Sequence, residues 1–319
     1  MNIIETHALS RVYGKRRAVD SLDMCVAAGE IYGFVGKNGA GKSTAMKMIA
    51  GLVRPTSGSV ELFGAQRRAR EGFSRVGALI EDPGILPTFS ALENLMCKAL
   101  ALGVVRPNAH CRELLELVGL ADTGSLRVKK FSLGMKQRLG LALALVGGPD
   151  LLLLDEPFNG LDPESTRAMR GALVRLNRER GVTIVISSHV LDQLDRMATS
   201  FGVIRSGRMV RELSMDDLHR ECGNSIRIRT NDPARTLAIL EEALPGTALR
   251  AEPDGSILAS AAVRHAATSF GGAATAPMAP SAEDVARALS EHGLLILELS
   301  HVERDIEEYF VELMGGADA

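Results

Sequence analysis

Nine residues, Gly36-Lys37-Asn38-Gly39-Ala40-Gly41-Lys42-Ser43-Thr44, fit the pattern G-x-x-x-x-G-K-[ST] and constrain the fold more than any other stretch. A short apolar run, Glu30 to Val35, precedes them, as a buried strand would. Ser43 to Ala50 then reads as a helix. Strand, glycine loop and helix start together aim free backbone N–H groups and the positive end of a helix dipole at one point, where a polyphosphate can sit. The glycines let the backbone wrap closely around that anion. Lys42 is placed to reach the β- and γ-phosphates, and the Ser43 hydroxyl to ligate Mg²⁺.

At 319 residues the chain exceeds one ordinary domain, so a core of about 200 residues plus a smaller unit is expected. A net charge of −2 argues against nucleic-acid binding through bulk electrostatics. No apolar run is long enough to span a bilayer, because Leu139 to Leu154 is broken by Gly147-Gly148-Pro149-Asp150. The start, Met1-Asn2-Ile3-Ile4-Glu5, shows no export signal, which places the chain in the cytosol. Cys25, Cys97, Cys111 and Cys222 have no C-x-x-C spacing and read as ordinary thiols.

Strands are expected over Ile3 to Leu9 and Ser21 to Ala27, the second alternating Leu22, Met24 and Val26 with polar positions. Others are expected over Ser59 to Phe63 and Arg75 to Ile80, the latter ending in the acidic loop Glu81-Asp82-Pro83-Gly84. Ser90 to Leu126 takes on helical periods and reads as a helical insertion, within about 88–138. Ser132 is a fair N-cap for the next helix.

Leu151 to Leu154 is a continuous apolar run that ends in Asp155 and Glu156, as a central parallel strand delivers acids to the ligand edge of a sheet. Asp155 is the expected Mg²⁺ holder with Ser43. Glu156 can accept a proton from the attacking water. A second such strand, Val182 to Ser188, ends in His189, which can approach the γ-phosphate from a third direction. Strand-then-helix repetition implies a mostly parallel sheet with helices on both faces.

A hairpin near 201–213 closes the first domain, taken as 1–213. Beyond it, 214–319 follows a βαββαβ order with a last helix, a small ferredoxin-like α+β unit. Ala261 to Pro280, rich in Ala, Gly, Thr and Pro, reads as a flexible loop.

Taken together, the phosphate loop, Ser132-Leu133-Gly134-Met135-Lys136, Leu151 to Glu156, Asn159-Gly160-Leu161-Asp162 and His189 resemble the ATP-binding subunit of an ATP-binding cassette (ABC) transporter over residues 3 to 212. The resemblance implies an α/β fold: a P-loop NTPase cassette with a mixed, mostly parallel sheet, an antiparallel β subdomain and a helical insertion. It implies ATP as substrate with Mg²⁺, Tyr13 stacked on adenine unless it is merely a packed tyrosine, Glu156 as general base and His189 as switch histidine. Ser132 and Gly134 match the signature residues that bind the γ-phosphate held by a second copy, and Asp162 matches the residue coupling the two sites.

Two departures stand out. Leu133 and Met135 replace a glycine and a glutamine of the usual signature. Glu81 stands where the family presents glutamine, either binding Mg²⁺ or remaining a solvated acid. Glu81 together with Ser-Leu-Gly-Met-Lys and Pro83 to Pro87 resembles the bacitracin-resistance and lantibiotic-immunity branch, which exports peptide antibiotics through separately encoded permeases. That implies peripheral attachment at the cytoplasmic face of the membrane, with no nucleic-acid partner. The rival reading is a soluble ABC-type clamp or regulator on nucleic acid or ribosomes. Such proteins usually carry two cassettes or a long coiled coil, and this chain has one phosphate loop and no sustained heptads.

Overall fold

The structure is a computed structural model that describes residues 1–66, 75–222, 225–261, 281–302 and 306–315. It divides into two compact units, Met1–Glu212 and Leu213–Ala319.

The first unit opens with β1 (Asn2–Tyr13) and β2 (Arg16–Ala27), an antiparallel hairpin joined at Gly14-Lys15. Both strands run longer than their apolar alternation suggests, because pairing carries the ladder through the polar residues up to Tyr13↔Arg16. Next come β3 (Ile31–Val35), α1 (Lys42–Ala50), β4 (Ser57–Leu62) and the two-residue β5 (Ala65–Gln66). β4 pairs with β1, giving an antiparallel sheet in the order β2-β1-β4-β5. The strand expected at Arg75 is β6 (Val76–Leu79).

Two helices, α2 (Ala91–Ala101) and α3 (Pro107–Leu117), form the insertion. Ser90 and Glu93 close a capping box at the start of α2, satisfying two of its orphan N–H groups. α4 (Leu133–Leu145) begins at the Ser132 cap, as its sequence suggests, with Ser132 Oγ accepting from Met135 N. β7 (Leu151–Asp155), α5 (Pro163–Arg180), β8 (Thr183–Ser188), β9 (Ser200–Arg205) and β10 (Arg208–Ser214) complete the unit.

The main sheet has the order β10-β9-β3-β8-β7-β6, and β9, β3, β8, β7 and β6 run parallel. All of β3 and β8 is buried, which suits the apolar runs Ile31–Val35 and Ile184–Ile186. A core of Ile4, Leu9, Leu22, Met46, Ile49, Leu153 and Val185 joins α1 to strands of both sheets. The phosphate-loop helix is therefore held from two sides. Burying Ile49 completely is worth about 1.5–3 kcal/mol on its own.

The second unit contains α6 (Met215–Cys222), β11 (Ser225–Thr230), α7 (Pro233–Ala243), β12 (Thr247–Ala251), β13 (Ile257–Ala261), α8 (Ala282–Glu291), β14 (Ile296–Val302) and α9 (Ile306–Leu313). Its sheet is antiparallel throughout, in the order β12-β13-β11-β14, so the β-α-β-β-α-β path places its first strand inside the sheet. Ile226, Ile228, Leu240, Val285 and Leu289 pack its core. The loop expected at Ala261 to Pro280 falls almost wholly outside the described residues, as does the start of the last helix. None of the four cysteines is in a disulfide.

Candidate active site

In a parallel sheet, carboxyl ends gather at one edge, and the order β3-β8-β7 brings three of them together here. The loop after β3 is Gly36 to Gly41, the residue after β7 is Glu156, and the residue after β8 is His189.

The glycines of the loop are required by space. A Cβ on Gly36 would lie 2.5 Å from the Ile204 carbonyl oxygen, and one on Gly41 would lie 2.6 Å from that of Ala18. Gly41 also takes φ 114 at the helix start, a backbone that side chains resist. Ala40 and Gly36 support the loop from behind: Gly207 N donates to Ala40 O at 2.8 Å, and Gly36 N to Ser188 O at 3.3 Å.

Lys42 is only 5% exposed, and its ammonium is folded back over the loop. Nζ donates to Gly36 O at 2.6 Å and lies 3.3 Å from Glu156 Oε1. Glu156 Oε2 meets His189 Nδ1 at 2.8 Å. Lysine, acid and histidine thus form one connected line across three strand ends. Glu156 holds this place with φ 48, a left-handed backbone, and its N–H donates to Ser187 Oγ at 2.9 Å. The same Ser187 hydroxyl donates to Asp155 Oδ1, so one serine fixes both acids.

An open cleft of about 430 Å³ lies before this line, bordered by Tyr13, Asn38, Gly39, Gly41, Lys42, Ser43, Thr44 and Glu156. Arg16 and Ala18 border it too, which the motif reading missed. Their signal was the hairpin itself, since Arg16 pairs with Tyr13 across the turn. Tyr13 is 46% exposed, and the Arg11 guanidinium lies 4.5 Å from its ring centroid, within cation–π range.

The remaining candidates lie outside the cleft lining. Glu81 follows β6 with φ 62 and pairs with Lys47, four residues beyond Ser43 on α1. Asp162 caps α5: its carboxylate accepts from Ser165 N at 2.8 Å and from Ser165 Oγ at 2.7 Å, and these bonds hold its pKa below the usual carboxylate range. Gly134 rests on that same serine, for a Cβ there would lie 2.5 Å from Ser165 Oγ. Ser165, unmarked in the sequence reading, thus joins the Ser132 segment to the Asp162 turn.

Comparison with known proteins matches this architecture. The ABC transporter family profile covers residues 19–159. The chain is 36% identical over 316 residues to the bacitracin transport ATP-binding protein BcrA of Bacillus licheniformis, covering 98% of each. It is 39% identical over 214 residues to the lantibiotic transport ATP-binding protein SrtF of Streptococcus pyogenes, covering 67% of this chain and 92% of that one. Among solved structures, an ATP-binding subunit of an ABC transporter is 30% identical with TM-score 0.61, covering 68% of this chain and 92% of its own. A dimeric cassette in a post-hydrolysis state with ADP and phosphate shares the fold at 22% identity and TM-score 0.61, covering 66% of this chain and 98% of its own.

The chain belongs to the ABC transporter family as its ATP-binding subunit. It is an ATP hydrolase related to bacitracin and lantibiotic transport ATP-binding proteins, and the clamp or regulator reading is not favoured. No helix among the described residues is long and apolar enough to cross a membrane.

Proposed function

We propose that two copies of this chain close on two ATP molecules and drive a separately encoded permease that exports a peptide antibiotic of the bacitracin or lantibiotic type. The line Lys42–Glu156–His189 at the phosphate loop carries the mechanistic part. The names of the relatives matched along nearly the whole chain support the substrate class.

In this reading Tyr13 takes adenine on its ring face, and the loop amides of Asn38 to Thr44 with Lys42 hold the phosphates. An incoming γ-phosphate competes with Glu156 for the Lys42 ammonium. Release of that ion pair frees Oε1 of Glu156 to accept a proton from water, while His189 keeps Oε2 and so fixes the carboxylate's direction. The Ser43 hydroxyl and the Asp155 carboxylate, whose Oδ1 already accepts from Ser187, make an oxygen donor set that fits Mg²⁺. Bound there with the nucleotide, Mg²⁺ supplies charge neutralisation at the β- and γ-oxygens. Glu81, held by Lys47, whose place on α1 is one helical turn beyond Ser43, is a further oxygen donor.

Ser132 and Gly134 would serve the partner copy's nucleotide, through the helix start at Ser132. Permease contact is assigned to the face of the helical insertion and the loop 81–87. A cleft of about 490 Å³ between Pro83, Ile85, Pro87, Val128 and Leu133 supports that assignment. Peripheral membrane attachment follows from such a contact, with opening and closing of the pair moving the permease helices.

The test is protection of a sensitive bacterial host. The chain co-expressed with the polytopic permease encoded beside it is expected to raise tolerance to bacitracin or a lantibiotic, and the Glu156→Gln form to abolish the gain. Intact ATP hydrolysis without protection against any peptide antibiotic would overturn the substrate assignment alone.

A further inference from the structure

Away from the nucleotide cleft, the antiparallel sheet gathers one imidazole and two carboxylates. β1 and β4 pair with Glu5 directly opposite Glu61, and His7 lies two positions along β1, opposite Ser59. Side chains alternate faces along a strand, so Glu5, His7 and Glu61 leave the same face of the sheet. His7 Nε2 lies 3.7 Å from Glu61 Oε1 and 4.0 Å from Glu5 Oε2. One donor atom from each residue lies within 4.8 Å of the other two.

Like charges set directly opposite one another destabilise a sheet. Among the described residues no lysine or arginine side chain pairs with Glu5 or Glu61; their ion-pair partner is His7. The neighbouring acid on β2, Asp23, adds negative charge and spends Oδ1 on the Ala8 N–H at 2.6 Å. Asn2 Nδ2 donates to Glu5 Oε1 at 3.0 Å, which turns the other oxygen of Glu5 toward His7. A single imidazole cannot offset two facing carboxylates. A divalent cation can, and it accepts all three donors at once.

We propose that Glu5, His7 and Glu61 bind a divalent transition-metal ion, with Zn²⁺ the best match to one nitrogen and two carboxylate oxygens. Donor atoms around tetrahedral Zn²⁺ sit about 3.4 Å apart, given bond lengths of about 2.1 Å. The present separations close to that value by side-chain rotation, because all three groups are partly exposed. Three protein ligands leave the fourth position to water. The ion would clip β1 to β4 and cancel the repulsion between their facing acids. None of the three residues borders the nucleotide cleft, so this ion is separate from the Mg²⁺ that accompanies ATP.

The test is calorimetric titration of ZnCl₂ into the full chain, prepared metal-free and without nucleotide or Mg²⁺. Its thiols are blocked with N-ethylmaleimide, so that exposed Cys97 does not compete. One ion per chain in the micromolar range is expected, weakened about tenfold or more in both His7→Ala and Glu61→Gln. Both positions are exposed enough for these variants to fold, and matching melting temperatures without Zn²⁺ will check that. At a fixed concentration near the wild-type Kd, Zn²⁺ should raise the melting temperature of the wild type more than that of either variant. Absence of binding, or binding undiminished in both variants, would overturn the proposal.

Discussion

The ammonium of Lys42 stands 3.3 Å from Glu156 Oε1, joining the loop after β3 to the acid after β7 across the intervening β8. Both groups are largely buried, so the pair is shielded from solvent in a way surface pairs are not. Glu156→Gln keeps the shape and removes the charge. Phosphate release is expected to fall by about 10²–10⁴-fold with nucleotide binding retained. Light scattering with Mg·ATP should show the variant accumulating as a closed dimer. Normal turnover would refute the base assignment.

His189 touches Glu156 and is argued to orient it. His189→Ala should therefore lower kcat by about ten- to a hundredfold with little change in KM for ATP. Steady-state kinetics checks the split, and a change confined to KM would show that His189 binds nucleotide instead.

Arg11 lies against Tyr13, with its Nη1 tied to Arg54 O at 2.9 Å. Exposed cation–π contacts are worth about 0.5–1 kcal/mol, so Arg11→Ala should raise KM for ATP roughly two- to fivefold. Tyr13→Ala should raise it further. If adenine stacks on Tyr13, removing Arg11 in the Tyr13→Ala background should add little, which titration with a fluorescent ATP analogue will measure.

A Cβ at Gly134 would lie 2.5 Å from Ser165 Oγ. Gly134→Ala is expected to push the Ser132 segment away from the Asp162 turn. ATP should still bind each copy, while ATP-dependent dimerisation and turnover are lost. Unaltered dimerisation on a sizing column would remove the signature role.

Glu212 is a half-buried acid that the active site does not use. Burial raises its pKa above the usual carboxylate range, against the opposing bonds from Tyr32 OH at 2.6 Å and Cys25 N. Because the folded pKa is raised, the folded state holds its proton longer than the unfolded chain, and stability falls as pH climbs from the unfolded value through the folded one. Glu212→Gln keeps an oxygen for both donors and removes that penalty. Its melting temperature should exceed the wild type's at pH 8, with the gap narrowing toward pH 4.

The phosphate loop, Asp155, Glu156 and His189 were readable because their chemistry is local: a glycine pattern, and acids or an imidazole ending a buried apolar run. The parallel sheet followed from the strand-then-helix order. Less legible was whatever depends on a partner distant in sequence. Nothing near Arg11 announces that its side chain lies over Tyr13. Ser187 could not be seen to hold both acids before β7 and β8 were set side by side in register. Ser165 acquired a role only when α4 met α5, and Glu81 found its lysine 34 residues earlier in the chain. The polar ends of β1 and β2 hid strand character that pairing imposed.

The placement of β8 between β3 and β7 has a further consequence for protein engineering. Two interstrand spacings, about 9.6 Å, separate β3, whose loop leads to the lysine at the start of α1, from β7, which ends at the acid. The sheet fixes that gap, and the phosphate loop together with the two side chains bridges it. Aspartate at position 156 would retain the acidity and lose one methylene of reach, making this a site that selects for span before it selects for proton affinity.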